Sequence, residues 1–223
     1  MSVDEKYHGH GRGHTRPHGA SRQGARQPDQ FNPARAALLD DPRRFDYLSV
    51  EQVLAMLDAP RGGVVIDFGT GTGTFAIEIA KRRSDLHLVA LDEQVGMLEL
   101  LRTKPEVKQL GNLEAILPDE TDRFVGAANR VLALNVLHEL GDDALGQIAN
   151  LLKSSGVALF IDWDSSIDRP VGPPKDHTYN AAEARTRLES FGFRVEQVAS
   201  TQYHFVLRAR IAKGSISGVR NRR

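Results

Sequence analysis

Residues 64–75 read VVIDFGTGTGTF, and their order decides the fold. Val64, Val65 and Ile66 are β-branched and suit a short buried strand, Gly69, Gly71 and Gly73 follow, and TFAIEIAKRR (74–83) sets Phe75, Ala76, Ile79 and Ala80 on one helical face. A strand that passes through glycines into a helix places a ligand site at the strand's carboxyl end, because residues without a Cβ let the backbone turn tightly and approach a bound molecule. Asp67 narrows the choice of ligand: a carboxylate repels a pyrophosphate and attracts an ammonium group. Gly71, Gly73 and Ala76 also satisfy the dinucleotide pattern G-x-G-x-x-A, a short pattern with many chance matches, but that reading leaves Asp67 unexplained.

Working outward, HLVALD (87–92) is a second buried strand, EQVGMLELLR (93–102) a helix, EVKQLG (106–111) a third strand and VLALNV (131–136) a fourth. A helix spans about 141–153 and VALFID (157–162) is a fifth strand. Such alternation implies a parallel sheet, since parallel neighbours need crossovers and the crossovers are helices. After NAAEARTRLESFGF (180–193), FRVEQVAS and TQYHFVLRAR stand too close together for a crossover and should pair antiparallel. The expected fold is α/β: a Rossmann-like, seven-stranded, mostly parallel sheet with helices on both faces and a C-terminal antiparallel hairpin. Upstream, residues 31–60 read as short helices, with Ser49 as N-cap of a helix over about 50–58 that Pro60, Gly62 and Gly63 end.

The ends differ in composition. Residues 1–30 are rich in Gly, His and Arg and read as a disordered tail, 211–223, with four basic and no acidic side chains, as a basic disordered one, and 31–210 as one domain with its core from 61. Among 223 residues, 29 are basic and 29 acidic, yet residues 31–210 hold 20 basic and 26 acidic side chains, which argues against a nucleic-acid partner for the folded body. The sequence has no cysteine, which excludes disulfides, catalytic thiols and thiolate metal sites. No apolar run approaches a membrane span and no secretory apolar block opens the chain, so a cytoplasmic protein is expected. His8, His10, His14 and His18, spaced by glycines, are candidate ligands for divalent nickel, zinc or copper; the bland alternative is a weakly basic leader.

Five segments in this order, D-x-G-x-G-x-G at Asp67–Gly73, Asp92 with EQVGML, GNLEAILP (111–118), NVLHEL (135–140), and Gly192-Phe193 with the hairpin, resemble the class I S-adenosylmethionine-dependent methyltransferases, especially their small-molecule, quinone-biosynthesis-like branch. The resemblance implies that Asp67, Gly69, Thr70, Gly71 and Gly73 hold the methionine portion of S-adenosyl-L-methionine, and that Asp92 accepts from the ribose hydroxyls with Glu93 and Met97 behind it. It further implies that Asn112 and Leu113 meet the adenine edge and that Asn135 borders the transfer cleft. His138 is the candidate catalytic residue, the alternative being that it satisfies neighbouring backbone groups. Where the family often carries Asp, this chain has Asn112 and Asn129. The implied activity is methyl transfer by direct displacement to a small-molecule substrate, leaving S-adenosyl-L-homocysteine; arsenite methylation through cysteines is excluded. A catalytically silent S-adenosylmethionine-binding module and a nicotinamide-dependent oxidoreductase are the alternatives. Trp163, Tyr203 and His204 read as packing residues, although Trp163 follows the fifth strand, where substrate should sit.

Overall fold

The computed structural model of the chain describes residues 33–212. The candidate metal ligands His8, His10, His14 and His18 lie outside the described residues. Strands β1 (Val64–Phe68), β2 (His87–Leu91), β3 (Leu113–Ile116), β4 (Ala128–Leu134), β5 (Leu152–Trp163), β6 (Phe193–Ser200) and β7 (His204–Ile211) form one sheet in the order β3-β2-β1-β4-β5-β7-β6. β1 to β5 pair parallel, and β7 runs antiparallel to both β5 and β6, so the expected hairpin closes the sheet.

Among the described residues six α-helices flank it: α1 (Arg44–Tyr47), α2 (Val50–Leu57), α3 (Thr74–Arg82), α4 (Val95–Thr103), α5 (Asp142–Leu151) and α6 (Ala181–Phe191). Alternate strand residues point to opposite faces, so Val65, Leu88, Leu132 and Leu159 pack against α2, α3 and α4, whereas Ile66, Val89, Val131 and Phe160 pack with α5 and α6. Local signals agree with the packing. Ser49 caps α2 through a reciprocal box with Gln52, and Asn180 caps α6 through one with Glu183. No helix among the described residues is long and apolar enough to cross a membrane.

One strand moves. Residues 106–111, expected as the third strand, instead form a single helical turn at Val107–Gln109, and β3 follows at Leu113–Ile116. Val107 and Leu110 stand three apart, the spacing of one helical face, and both pack against the α4 side of the core. The segment LEAI is the one that pairs with Leu88–Leu91. This shift carries Asn112 and Leu113 from the carboxyl end of the third strand to its amino end.

Candidate active site

The parallel strands end together, and the loop after β1 lies at that edge. Gly69, Gly71 and Gly73 all take positive φ, at 74°, 56° and 76°. The Gly69 and Thr70 N–H groups both donate to Leu91 O, at 2.8 and 3.0 Å, which ties the loop to the tip of β2. Two carboxylates face it. Asp67 is 4% exposed and receives one side-chain hydrogen bond, from Thr70 Oγ1 at 2.7 Å. Burial pushes its carboxyl up to about 6; the charge of Asp92 adds to this, and the Thr70 bond and Arg44 oppose it. Asp92 accepts from the Gly71 N–H at 2.8 Å and, through its other oxygen, from the Gln94 N–H at 2.9 Å. Burial raises its pKa as well, against those two backbone bonds. Gln94, not Asp92, is the N-cap residue of α4, so Asp92 fastens the turn before the helix.

The segment before α2 folds over the loop. Asp40 Oδ1 accepts from Thr72 Oγ1 (2.7 Å), Thr74 Oγ1 (2.8 Å) and Lys104 Nζ (2.6 Å), and these bonds hold its pKa down against burial. Arg44 donates to Leu39 O at 2.7 Å, lies over the Phe75 ring, and acts electrostatically on Asp67. Across the edge, Asn135 follows β4 with φ of 57° and its N–H donates to Ile161 O at 2.7 Å. His138 Nδ1 lies 3.0 Å from both oxygens of Asp162, whose Oδ2 also accepts the His138 N–H and whose Oδ1 accepts the Trp163 N–H. His138 Nε2 is 3.6 Å from Glu139 Oε1. Burial alone would lower the imidazole's pKa, but the carboxylate of Asp162, with Glu139 adding, holds it above the ordinary value. Arg44, Tyr47, Phe75, Asn135, Trp163 and His204 line a small pocket between these two walls.

The family model described as a methyltransferase domain matches residues 41–198, from just before α1 into β6. The chain belongs to the methyltransferase domain family. A crystal structure of an S-adenosylmethionine-dependent methyltransferase from Aquifex aeolicus matches with a TM-score of 0.74 and 26% identity, covering 81% of this chain and 98% of that one. The TehB-like S-adenosylmethionine-dependent methyltransferase of Corynebacterium glutamicum matches with a TM-score of 0.57 and 15% identity over 81% of this chain and 100% of that one, a likeness of fold. The release factor glutamine methyltransferase of Burkholderia pseudomallei is 38% identical over 61 residues, 27% of this chain and 21% of that protein, so the match spans about a fifth of that relative's length. The methyltransferase family implies S-adenosylmethionine as cofactor. The residues present fit it: a buried carboxylate with a single hydroxyl partner at the glycine loop suits an ammonium group and would repel a pyrophosphate.

The methyltransferase fold brings Asp67, Gly69, Thr70, Gly71, Gly73, Asp92, Asn135 and His138 to one edge of the sheet. Met97 is buried in the first turn of α4, and Glu93 is exposed beside Asp92. Asn112 and Leu113 are not at this edge. Asn112 Nδ2 donates to the carbonyls of Ala80 (3.2 Å), Arg83 (3.1 Å) and Leu86 (3.2 Å), which tie α3 to the amino end of β2, and Leu113 pairs with Leu88. The adenine role expected for both is therefore withdrawn: their amide and backbone are committed at the opposite edge. Asn129 is at that far edge too, accepting from the Val64 N–H and Lys153 Nζ. Asp162 and Arg44 went unread in the sequence. An acid closing the apolar run VALFID was the available signal for Asp162; Arg44 carried none, because its place depends on the tertiary course of the segment before α2.

Proposed function

We propose that this methyltransferase transfers a methyl group from S-adenosylmethionine to a small organic acceptor by direct displacement, in the cleft between the glycine loop and the tips of β4 and β5. The observation that supports this most is Asp67, a carboxylate at 4% exposure that, among the described residues, takes its side-chain hydrogen bond from the Thr70 hydroxyl. A charge left so poorly compensated in a core is costly unless a cation joins it. Asp67, Thr70 and the backbone of Gly69, Gly71 and Gly73 hold the amino-acid end, and Asp92 takes the ribose hydroxyls with lone pairs left over from its two backbone bonds. When bound, the cofactor supplies a methyl group on a sulfonium, a good leaving group. The chain's task is then to hold the acceptor in line and exclude water.

Asp92→Ala should weaken S-adenosylhomocysteine by tenfold or more, about 1.4 kcal/mol, in a calorimetric titration. Equal affinity in the variant would remove the ribose assignment.

His138 acts in this reading as a positioning residue. Its Nδ1 is engaged by Asp162 at 3.0 Å, a carboxylate that raises the imidazole's pKa against burial, so the pair clamps the turn after β4 to the tip of β5. Asp162→Asn should lower the His138 pKa below its wild-type value in an NMR titration, and kcat should fall without a new acidic limb in its pH profile. A kcat that rises with deprotonation of His138 would restore the imidazole as general base.

A further inference from the structure

Among the described residues four buried side-chain nitrogen or oxygen atoms have no hydrogen-bond partner, and two of them, Asn135 Oδ1 and His204 Nε2, belong to residues that line the pocket already described. Buried polar groups in native proteins are nearly always paired, with protein or with ordered water. These two do not bond each other, and the pocket they share has room for about one water molecule. Their chemistry is complementary. Asn135 Oδ1 can only accept. His204 is 1% exposed, and burial pushes its pKa down to about 4, against the pull of Asp162, so near neutrality the ring carries one N–H and one lone pair. Thr201 lies on the other side of that ring: its Oγ1 accepts the His204 backbone N–H at 3.3 Å and is 3.2 Å from Nδ1.

The turn that carries Asn135 bears on the glycine loop. Asn135 holds a φ of 57°, a left-handed backbone that persists in a residue other than glycine only where its surroundings fix it. Two bonds hold the turn to β5: the Asn135 N–H donates to Ile161 O at 2.7 Å, and His138 pairs with Asp162. Neither reaches β7. Val136, the next residue, packs on the loop, since a Cβ added to Gly69 would come within 2.7 Å of Val136 Cγ2. The pose of Asn135 therefore sets the wall against which Gly69 lies. His204 is itself firmly placed, with its ring 4.2 Å from that of Trp163 between centroids and its backbone paired to β5.

We propose that one water molecule bridges the two residues, accepting from His204 Nε2–H and donating to Asn135 Oδ1, and that through it His204 is a positioning residue that holds the turn after β4 against the glycine loop. The Thr201 hydroxyl donates to Nδ1, which fixes the ring proton on Nε2. A bridging water is nearly as good a partner as a direct hydrogen bond, and here it satisfies two atoms whose burial would otherwise be costly. The bridge adds a third tie to the turn, from β7, beside the two from β5. The positioning role rests on the methyltransferase reading above; the water does not.

The bridge is read by NMR in the free, full-length, nitrogen-15-labelled chain at pH 7, where loss of one set of ring signals in His204→Gln identifies His204 among the eight histidines. Its ring should be the Nε2–H tautomer, and that proton should show an Overhauser effect to a water held longer than the protein tumbles. An Nδ1–H tautomer, or no such water signal, would overturn the bridge. The positioning role is read in calorimetric titrations with S-adenosylhomocysteine, with a melting curve on each variant to report folding. His204→Phe, which keeps a ring on Trp163 without the donor, and Asn135→Ala should each weaken binding at least about threefold, and the double variant no more than the weaker single. His204→Gln keeps a donor and should retain most of the wild-type affinity. Effects that multiply in the double variant, or a His204→Gln as weak as His204→Phe, would overturn the positioning role. Failure of the nucleoside to bind the wild-type chain would overturn the proposed function and the positioning role with it, while the spectra of the free chain still decide the bridge.

Discussion

Asp67→Asn should weaken S-adenosylhomocysteine binding by roughly 30- to 150-fold at neutral pH, about 2–3 kcal/mol, while making the free protein more stable. The two effects have one origin. Burial raises the carboxyl to about 6, above its ordinary 3.8, so the folded chain holds a proton that the unfolded chain has released between those values. Stability from this group accordingly declines as pH rises through that window and stays lower above it. A neutral side chain of the same shape removes the penalty, and the thermal midpoint at pH 7 should rise by a few degrees, on the order of 1 kcal/mol. Binding has the opposite dependence. An ammonium group requires the ionised form, so wild-type affinity should be flat above about pH 6 and fall about tenfold per unit below it, whereas the Asn variant should show no such dependence. Calorimetry from pH 5 to 8 and a melting curve on the same samples test both. A variant that loses stability and affinity together would mark Asp67 as a structural carboxylate.

Gly73→Ala should be the most damaging single-methyl substitution in the loop. Gly73 has φ of 76° and is the N-cap residue of α3, and an added Cβ would overlap Cδ1 of Leu101, a fully buried side chain of α4. A left-handed backbone costs an alanine about 1–2 kcal/mol and overpacking a core about 1–3 more. The sum predicts a loss of about 2–5 kcal/mol, readable as a fall of about 10 °C in the melting midpoint. Gly71 supplies the contrast. Its φ is 56°, but its Cβ would meet Leu39 Cδ1 at 2.8 Å, the far end of a flexible side chain. Gly71→Ala should therefore cost little beyond the backbone strain, about 1–2 kcal/mol. Equal destabilisation by the two substitutions would contradict the close packing assigned to the start of α3.

The parts of this fold legible in the sequence are those whose physics is local. VVIDF, the glycines and the amphipathic run behind them specify a strand, a turn and a helix in succession, and the short span between 193 and 211 permits only antiparallel pairing. The third strand was misplaced because EVKQLGNLEAI holds two apolar pairs. Only pairing with Leu88–Leu91 selects the second pair, and register is a tertiary property. Asn112 inherited that error. At the site, Asp67 and Asp92 stood out because acids at strand ends break an apolar pattern. Asp40 and Arg44 did not: Asp40 sits in a turn and Arg44 opens a four-residue helix too short to show a period, and both owe their position to how that segment folds back. His204, which reads as a packing residue, does pack on Trp163, yet its buried Nε2 has no hydrogen-bond partner among the described residues.

The most direct test of the central claim, that the glycine loop and Asp67 receive a nucleoside bearing an ammonium group, is a calorimetric titration at pH 6 in two buffers of different ionisation enthalpy, with S-adenosylhomocysteine and with NAD. One S-adenosylhomocysteine should bind per chain with release of a fraction of a proton, seen as heats that differ between the buffers, and NAD should give none. Saturable binding of NAD, or S-adenosylhomocysteine binding with no proton released in the wild-type chain, would contradict it.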